Sequence, residues 1–306
     1  MNQHSSITGR GSLIERATEI YDFNAALKGR AAPAVDLSAD LPPMPAAAVE
    51  ATAPAHAPAM RAPAWTGPIQ PIDRMALAEA GYLQPDGPVS AMSEEFRLLK
   101  RDLLAQLQSS PRGNRILVCS AHSGDGKSFC AINLALSLAA EKDREILLVD
   151  ADFGKPGIPA KLGLTAGPGL MDALADPSIA IEDIIIRTDL PSLAVLPAGQ
   201  RSNNDTEYLA SARTQHLLSR LTEGRPERIV IFDSPPLLAA SPAAVLASHA
   251  AIALLVVRAD RTSESAVREA AAMLKGGTQV QLLLNAVSFT GGRRFGSYYA
   301  KGGEQS

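Results

Sequence analysis

Several things are scarce in this chain, and each scarcity excludes something. Aromatic residues make up 4% of its 306 positions and tryptophan occurs once, so the interior has to be built from alanine, leucine and valine, as in an α/β protein. Cysteine occurs twice, at Cys119 and Cys130, both in apolar segments. That is too few for a disulfide framework or a cysteine metal site, and it suits a reducing cytosol. A net charge of −3 argues against general binding to nucleic acid or to an anionic membrane. No apolar run approaches the ~18 residues of a spanning helix. The opening M-N-Q-H-S-S-I-T lacks the apolar stretch of a signal peptide. These absences predict a soluble, cytoplasmic protein. What the chain does have is 46% hydrophobic residues, ample for a core, and a length that accommodates one large or two small domains.

The composition changes along the chain. Ser12-Leu-Ile-Glu15 has the form of a capping box, and Leu13, Ala17, Ile20, Tyr21 and Leu27 recur at helical spacing, so residues 1–30 read as a short amphipathic helix stopped by Gly29. Its use is open between a docking peptide and a satellite of the main body. Between 31 and 71 lie nine of the 22 prolines, mixed with alanine and without apolar period, which predicts a disordered tether. Trp65, near its end, reads as a contact with the following domain. A short helix is expected over Arg74–Ala80, a turn at Pro85-Asp-Gly-Pro88, and then a helix capped by Ser93. Phe96, Leu99, Leu103 and Leu107 give that helix a buried stripe, while Glu94, Arg97 and Lys100 share another, solvated face.

From Arg115 the pattern is strand and helix in turn. Apolar strands are expected at 116–119, Glu145–Asp150, Leu193–Pro197, Arg228–Asp233, Ala251–Val257 and Gln279–Leu284, with helices over Lys127–Ala140, Thr206–Leu221, Pro242–Ser248 and Ser263–Leu274. Such alternation predicts an α/β fold with a mainly parallel central sheet covered by helices on both faces.

The segment R-I-L-V-C-S-A-H-S-G-D-G-K-S, residues 115–128, concentrates the chemistry. A buried strand runs into a small-residue loop and then a helix opening at Lys127. Gly124 and Gly126 let the backbone curl so that successive N–H groups face a phosphate, and the helix aims the positive end of its dipole at the same point. Ser123, Gly124, Asp125, Gly126, Lys127, Ser128 and Phe129 are therefore candidate nucleotide contacts, with Lys127 placed for the β/γ-phosphates and the Ser128 hydroxyl for Mg2+. The strict pattern has glycine where Ala121 stands. Two further strands end in carboxylates: I-L-L-V-D-A-D in Asp150 and Asp152, and I-V-I-F-D-S-P-P in Asp233, where Pro235-Pro236 forbid continuation. Carboxyl ends of central strands line the ligand crevice of an open α/β sheet. Asp152 and Asp233 are thus candidate metal ligands, and Asp150 is free to accept a proton from an incoming hydroxyl or to orient it.

Taken together, S-A-H-S-G-D-G-K-S, V-D-A-D-F-G-K-P and F-D-S-P-P resemble the bacterial tyrosine kinases of capsule and exopolysaccharide synthesis. S-L-I-E-R-A, I-D-R-M with A-G-Y-L-Q-P-D, E-E-F-R-L-L-K-R-D-L-L and L-P-A-G resemble, more narrowly, the exosortase (XrtA)-associated tyrosine autokinases. The resemblance implies a P-loop NTPase of MinD/ParA-like fold over residues 72–290, using ATP and Mg2+, with Lys127, Asp150 and Asp152 catalytic. It implies that Glu94, Arg97 and Lys100 form a motif through which subunits assemble in a ring, although the last position is usually arginine, and that Asn285 lies on the adenine side. It further implies a flexible tail, 291–306, in which Tyr298 and Tyr299 accept phosphate from ATP. This pair is sparser than the family's usual tyrosine cluster, and Gly154 stands where the family often has arginine. An activator would be a separate chain, an inner-membrane polysaccharide co-polymerase (Wzz-like), so the protein would sit at the inner membrane through that partner; no nucleic-acid partner is expected. Two other readings share the fold: a positioning ATPase of the MinD/ParA type, against which stands His122 where those proteins carry an extra lysine, and a regulatory nucleotide-binding subunit with weak or absent kinase chemistry.

Overall fold

The computed structural model describes residues 62–110, 112–274 and 277–287. The expected N-terminal helix, most of the expected tether and the tyrosine tail lie outside them. In chain order the described elements begin with β1 (Ile69–Gln70), α1 (Arg74–Glu79), α2 (Ala91–Gln108), β2 (Arg115–Ser120), α3 (Lys127–Ala139) and β3 (Glu145–Asp150). They continue with α4 (Ile158–Lys161), α5 (Leu170–Ala175), α6 (Ile181–Ile184), β4 (Ile186–Thr188), β5 (Leu193–Leu196), α7 (Asp205–Leu209) and α8 (Ala212–Thr222). The last are β6 (Arg228–Asp233), α9 (Pro242–Ala247), β7 (Ile252–Arg258), α10 (Glu264–Met273) and β8 (Gln279–Asn285).

The strands form one sheet in the order β1-β4-β5-β3-β6-β2-β7-β8. Every pairing is parallel except β4 with β5. The three central strands are buried on both faces, which is why they read as unbroken apolar runs rather than alternating ones. Their side chains nevertheless divide by parity between two cores. Leu117, Cys119, Leu147, Val149, Val230 and Phe232 pack with α5, α7, α8, α9 and α10. Ile116, Val118, Ile146, Leu148, Ile229 and Ile231 pack with α1, α2 and α3. The two cysteines fall one in each core, both buried and free, and burial pushes each thiol up to about 12. They are inert packing groups, in keeping with the absence of a disulfide framework.

Four expectations are corrected. Residues 62–71, expected within the tether, are structured. Ala62 bonds Glu223 and Arg225, Gly67 packs where a Cβ would stand 2.1 Å from the Ile185 carbonyl, and β1 joins the sheet edge. Trp65 does contact the domain: its ring lies 4.3 Å from the guanidinium carbon of the buried Arg228. Helix α2 begins three residues earlier than Ser93. Ser90 is the N-cap, and Ser93 is the reciprocal partner of a capping box, its hydroxyl accepting from the Ser90 N–H at 2.8 Å. The single helix expected over 206–221 is split at 210–211, because the Tyr208 carbonyl accepts from the hydroxyls of Ser211 and Thr214, at 2.6 and 2.7 Å, diverting it from a continuing ladder. Finally β4 was unexpected. Three residues are too few to show a period, and its turn into β5 is held by the Thr188 hydroxyl, which donates to the Leu193 carbonyl at 2.8 Å.

Candidate active site

The register of the central strands assembles the site. Val118 of β2 lies opposite Asp233 of β6, and Asp233 lies opposite Asp150 of β3. The loop after β2 and the acids ending β3 and β6 therefore meet at one carboxyl edge, and helix α3 starts from the same place. Gly124 (φ +86°) and Gly126 (φ +100°) occupy the left-handed region that other residues avoid. Ala121 does not, and it is buried at 1% exposure. The departure from the strict glycine pattern thus costs the backbone nothing. Asp125, also buried, braces the loop from within. Its carboxylate accepts from the His122 N–H at 2.9 Å and from the Thr262 hydroxyl at 3.1 Å. Ser123 and Gly124 lie exposed at the loop's crest, with Ser128 half-buried at its far end.

Lys127 and Asp152 form a buried ion pair at 2.9 Å. Asp150 is fully buried. Its Oδ2 accepts from the N–H groups of Gly157 and Ile158 at 2.7 and 2.9 Å, and its Oδ1 accepts from the Asp152 N–H at 3.3 Å. Burial raises its pKa, opposed by these three bonds and reinforced by the nearby Asp152 charge. Both oxygens therefore hold the 151–158 loop in place, which gives Asp150 a holding role that its position in the sequence did not reveal.

Asp233 differs. It is buried, and its Oδ1 has no hydrogen-bond partner. Its pKa is pushed up to about 7, first by desolvation, with Asp150 and Asp152 adding to it and Ser128 and Lys127 opposing. A buried carboxylate oxygen without a partner, next to a hydroxyl, is suited to a hard cation. Among the described residues no group of three His, Cys, Asp or Glu side chains could hold a metal. Mg2+ needs no such group, since it is commonly held by one or two protein oxygens together with substrate phosphates and water. Ser128, Asp233 and Asp152 fit such a role.

Phe129 follows Ser128 on α3 and packs on Tyr82, ring centroids 5.1 Å apart. Phe129 and Asn285 line a groove of about 530 Å³ whose other walls include Met92, Phe96, Leu99 and Leu283. The expected solvated face of α2 is broken up. Arg97 pairs with Glu94 toward solvent, but Lys100 is buried at 5% exposure. Its ammonium donates to the Ser137 carbonyl at 2.9 Å and pairs with Glu141 at 2.7 Å, fastening α2 to α3. Residues 94 and 97 point outward, while 100 has rotated onto α3. Tyr298 and Tyr299 lie outside the described residues.

Sequence reasoning missed three groups beside the loop. Arg258 donates to the Gly124 carbonyl at 2.9 Å, Arg261 lies 3.2 Å from where a Gly124 Cβ would be, and Thr262 holds Asp125. The sheet order brings them there: β7 neighbours β2 and its carboxyl end borders the same crevice, which the order of elements along the chain does not show. Arg258 ends that strand as Asp233 ends β6.

Residues 112–189 match the family described as ParA: NUBPL iron-transfer P-loop NTPase. EpsB of Ralstonia solanacearum is 34% identical over 186 residues, covering 60% of this chain and 24% of EpsB, so the chain spans about a quarter of that relative's length. The tyrosine-protein kinase YwqD of Bacillus subtilis (strain 168) is 30% identical over 184 residues, covering 60% of this chain and 75% of YwqD. Among solved structures, the kinase domain of VpsO is 29% identical with a TM-score of 0.56, covering 64% of this chain and 95% of that domain. Nucleotide binding follows from this fold and its phosphate loop. Among the described residues no helix is long and apolar enough to cross a membrane. With the phosphate loop and its three aspartates at one sheet edge, and YwqD matched over most of its length, the chain belongs to the bacterial tyrosine-protein kinases.

Proposed function

We propose that this protein is an ATP-dependent protein-tyrosine autokinase that regulates exopolysaccharide or capsule polymerisation and export, with Tyr298 and Tyr299 as acceptors. The observation that carries the reading is the convergence of Lys127, Ser128, Asp150, Asp152 and Asp233 on one edge of the sheet, with one Asp233 oxygen buried and unpartnered. Mg2+ would supply charge neutralisation of the phosphates as they transfer. Lys127 exchanges its bond to Asp152 for phosphate oxygens, which frees Asp152. Asp233 and Ser128 would hold the cation through their side-chain oxygens, one Asp233 oxygen being buried without a partner. Asp150 holds the loop that carries Asp152, its two oxygens already accepting from backbone N–H groups. Positioning and charge do most of the work in phosphoryl transfer, and that holding role is what Asp150 contributes to them. The groove beside Phe129 takes the base of the nucleotide, with Asn285 at its rim.

The exposed Glu94–Arg97 pair is proposed as the part of α2 available to a neighbouring copy in a ring, Lys100 being engaged within its own chain. A membrane-bound polysaccharide co-polymerase is proposed as the activating partner, holding the kinase at the inner membrane. The test is to incubate purified full-length protein with MgATP and probe for phosphotyrosine, alongside Lys127→Met, Asp150→Asn and a Tyr298→Phe/Tyr299→Phe double variant. Label that disappears in Lys127→Met and in the tail variant supports the reading. Label retained in the tail variant moves the acceptor elsewhere. No label, even with the membrane activator present, favours a positioning ATPase or a regulatory subunit.

A further inference from the structure

The N–H groups of a phosphate loop bind only if they point inward, and something must hold the peptide planes that way. In a planar trans peptide the carbonyl of one residue and the N–H of the next face opposite directions. Pulling a carbonyl outward therefore turns the following N–H inward. Two successive carbonyls of this loop are pulled outward by side chains from neighbouring strands. Arg258, at the end of β7, donates to the Gly124 carbonyl at 2.9 Å, and the Asn285 amide, at the end of β8, donates to the Asp125 carbonyl at 2.9 Å. The N–H groups set by those planes belong to Asp125 and Gly126, which immediately precede Lys127.

The two donors are tied into one bracket. The Ala259 N–H donates to the Asn285 carbonyl at 2.9 Å. The Arg258 N–H donates to the Thr262 hydroxyl at 3.0 Å, and that hydroxyl donates in turn to the Asp125 carboxylate at 3.1 Å. Gly126 leaves the space the bracket needs, since a Cβ there would lie 1.9 Å from the Asn285 amide nitrogen.

We propose that Arg258 and Asn285 are positioning residues for the phosphate loop, pre-orienting the Asp125 and Gly126 amides for nucleotide phosphates through their hold on the carbonyls of Gly124 and Asp125. This rests on the nucleotide reading of the site and deepens it. Asn285 then acts on the phosphate side through the backbone, whatever it does toward the base.

The test uses full-length protein and MgADP. Affinity is measured by calorimetry, and the backbone amide resonances of Asp125 and Gly126 are followed in 15N-labelled, nucleotide-free protein. Loss of a charge-assisted bond in Arg258→Met should weaken MgADP by about tenfold or more, and loss of a neutral bond in Asn285→Ala by about two- to tenfold. Arg258→Lys, which keeps a donor, should recover part of the loss. Arg268→Met removes an exposed arginine from α10 and serves as the charge control, expected to bind like wild type. In both bracket variants the Asp125 and Gly126 amide signals should shift or broaden before any nucleotide is added. Variants that bind as wild type does, or that bind weakly with those two amides unmoved, overturn the proposal. If Arg258→Met fails to fold, Arg258→Lys and Asn285→Ala carry the same measurements. Wild-type protein that does not bind MgADP overturns the nucleotide reading itself, and is recognised before any variant is compared.

Discussion

Asp233 gives the most quantitative consequence of this site. In the nucleotide-free protein its carboxyl is buried with an unpartnered oxygen, and its pKa stands at about 7 against an ordinary 3.8. Below the ordinary value both folded and unfolded chains hold the proton, and the group does not affect stability. As pH rises from there the unfolded chain gives up its proton first, so the folded state loses stability until pH passes about 7. A displacement of about three units at about 1.4 kcal/mol each is worth ~4 kcal/mol once the loss is complete. An asparagine in its place would have no proton to trade and nearly the same shape. Asp233→Asn should therefore match wild type within about 1 kcal/mol near pH 4 and exceed its stability by ~2–4 kcal/mol at pH 8. Urea unfolding of the nucleotide-free proteins at a series of pH values measures the difference directly. The same linkage requires wild type to release part of a proton on binding MgADP near pH 7. Calorimetry in buffers of different ionisation enthalpy would read that release, and Asp233→Asn should lack it. A stability difference that does not change with pH would refute the reasoning, as would an Asp233→Asn variant no more stable than wild type at pH 8.

Two further outcomes follow from the buried charges outside the site. Lys100→Met should lower unfolding free energy by about 1.5–3 kcal/mol, because it removes charge-assisted bonds to Ser137 and Glu141, whereas Arg97→Ala, which breaks an exposed pair, should change it by less than about 1 kcal/mol. Denaturant titration of the two variants checks the contrast; if Arg97 carries a contact between copies, Arg97→Ala should lower the assembly mass seen in light scattering. Arg228 is buried against Trp65, the only tryptophan in the chain, and bonds Glu145 and the Leu221 carbonyl at 2.9 and 2.7 Å. Arg228→Met should cost about 2–3 kcal/mol and shift Trp65 fluorescence to the red as residues 62–68 loosen, so unchanged emission would argue against that contact.

What the sequence determined by itself was local chemistry and its order along the chain. Apolar runs of four residues leading into Asp150 and Asp233, and a loop carrying Gly124, Gly126 and Lys127, report their own conformation, because strand burial, left-handed backbone and helix start are each set by a few adjacent residues. Placing those ends together followed from the general rule for parallel sheets, and the register bears it out. Tertiary structure decided whatever depended on a partner distant in sequence. Lys100 looked like one member of a charged face until α3 supplied Ser137 and Glu141 to bury it, and Asp150 looked like a free carboxylate until the 151–158 loop folded back on both its oxygens. The same holds for Arg258 and Asn285, more than 130 residues from the loop whose carbonyls they take. A side chain's helical or strand position fixes the direction it can point, but its charge state and work depend on what the fold brings within about 3 Å of it.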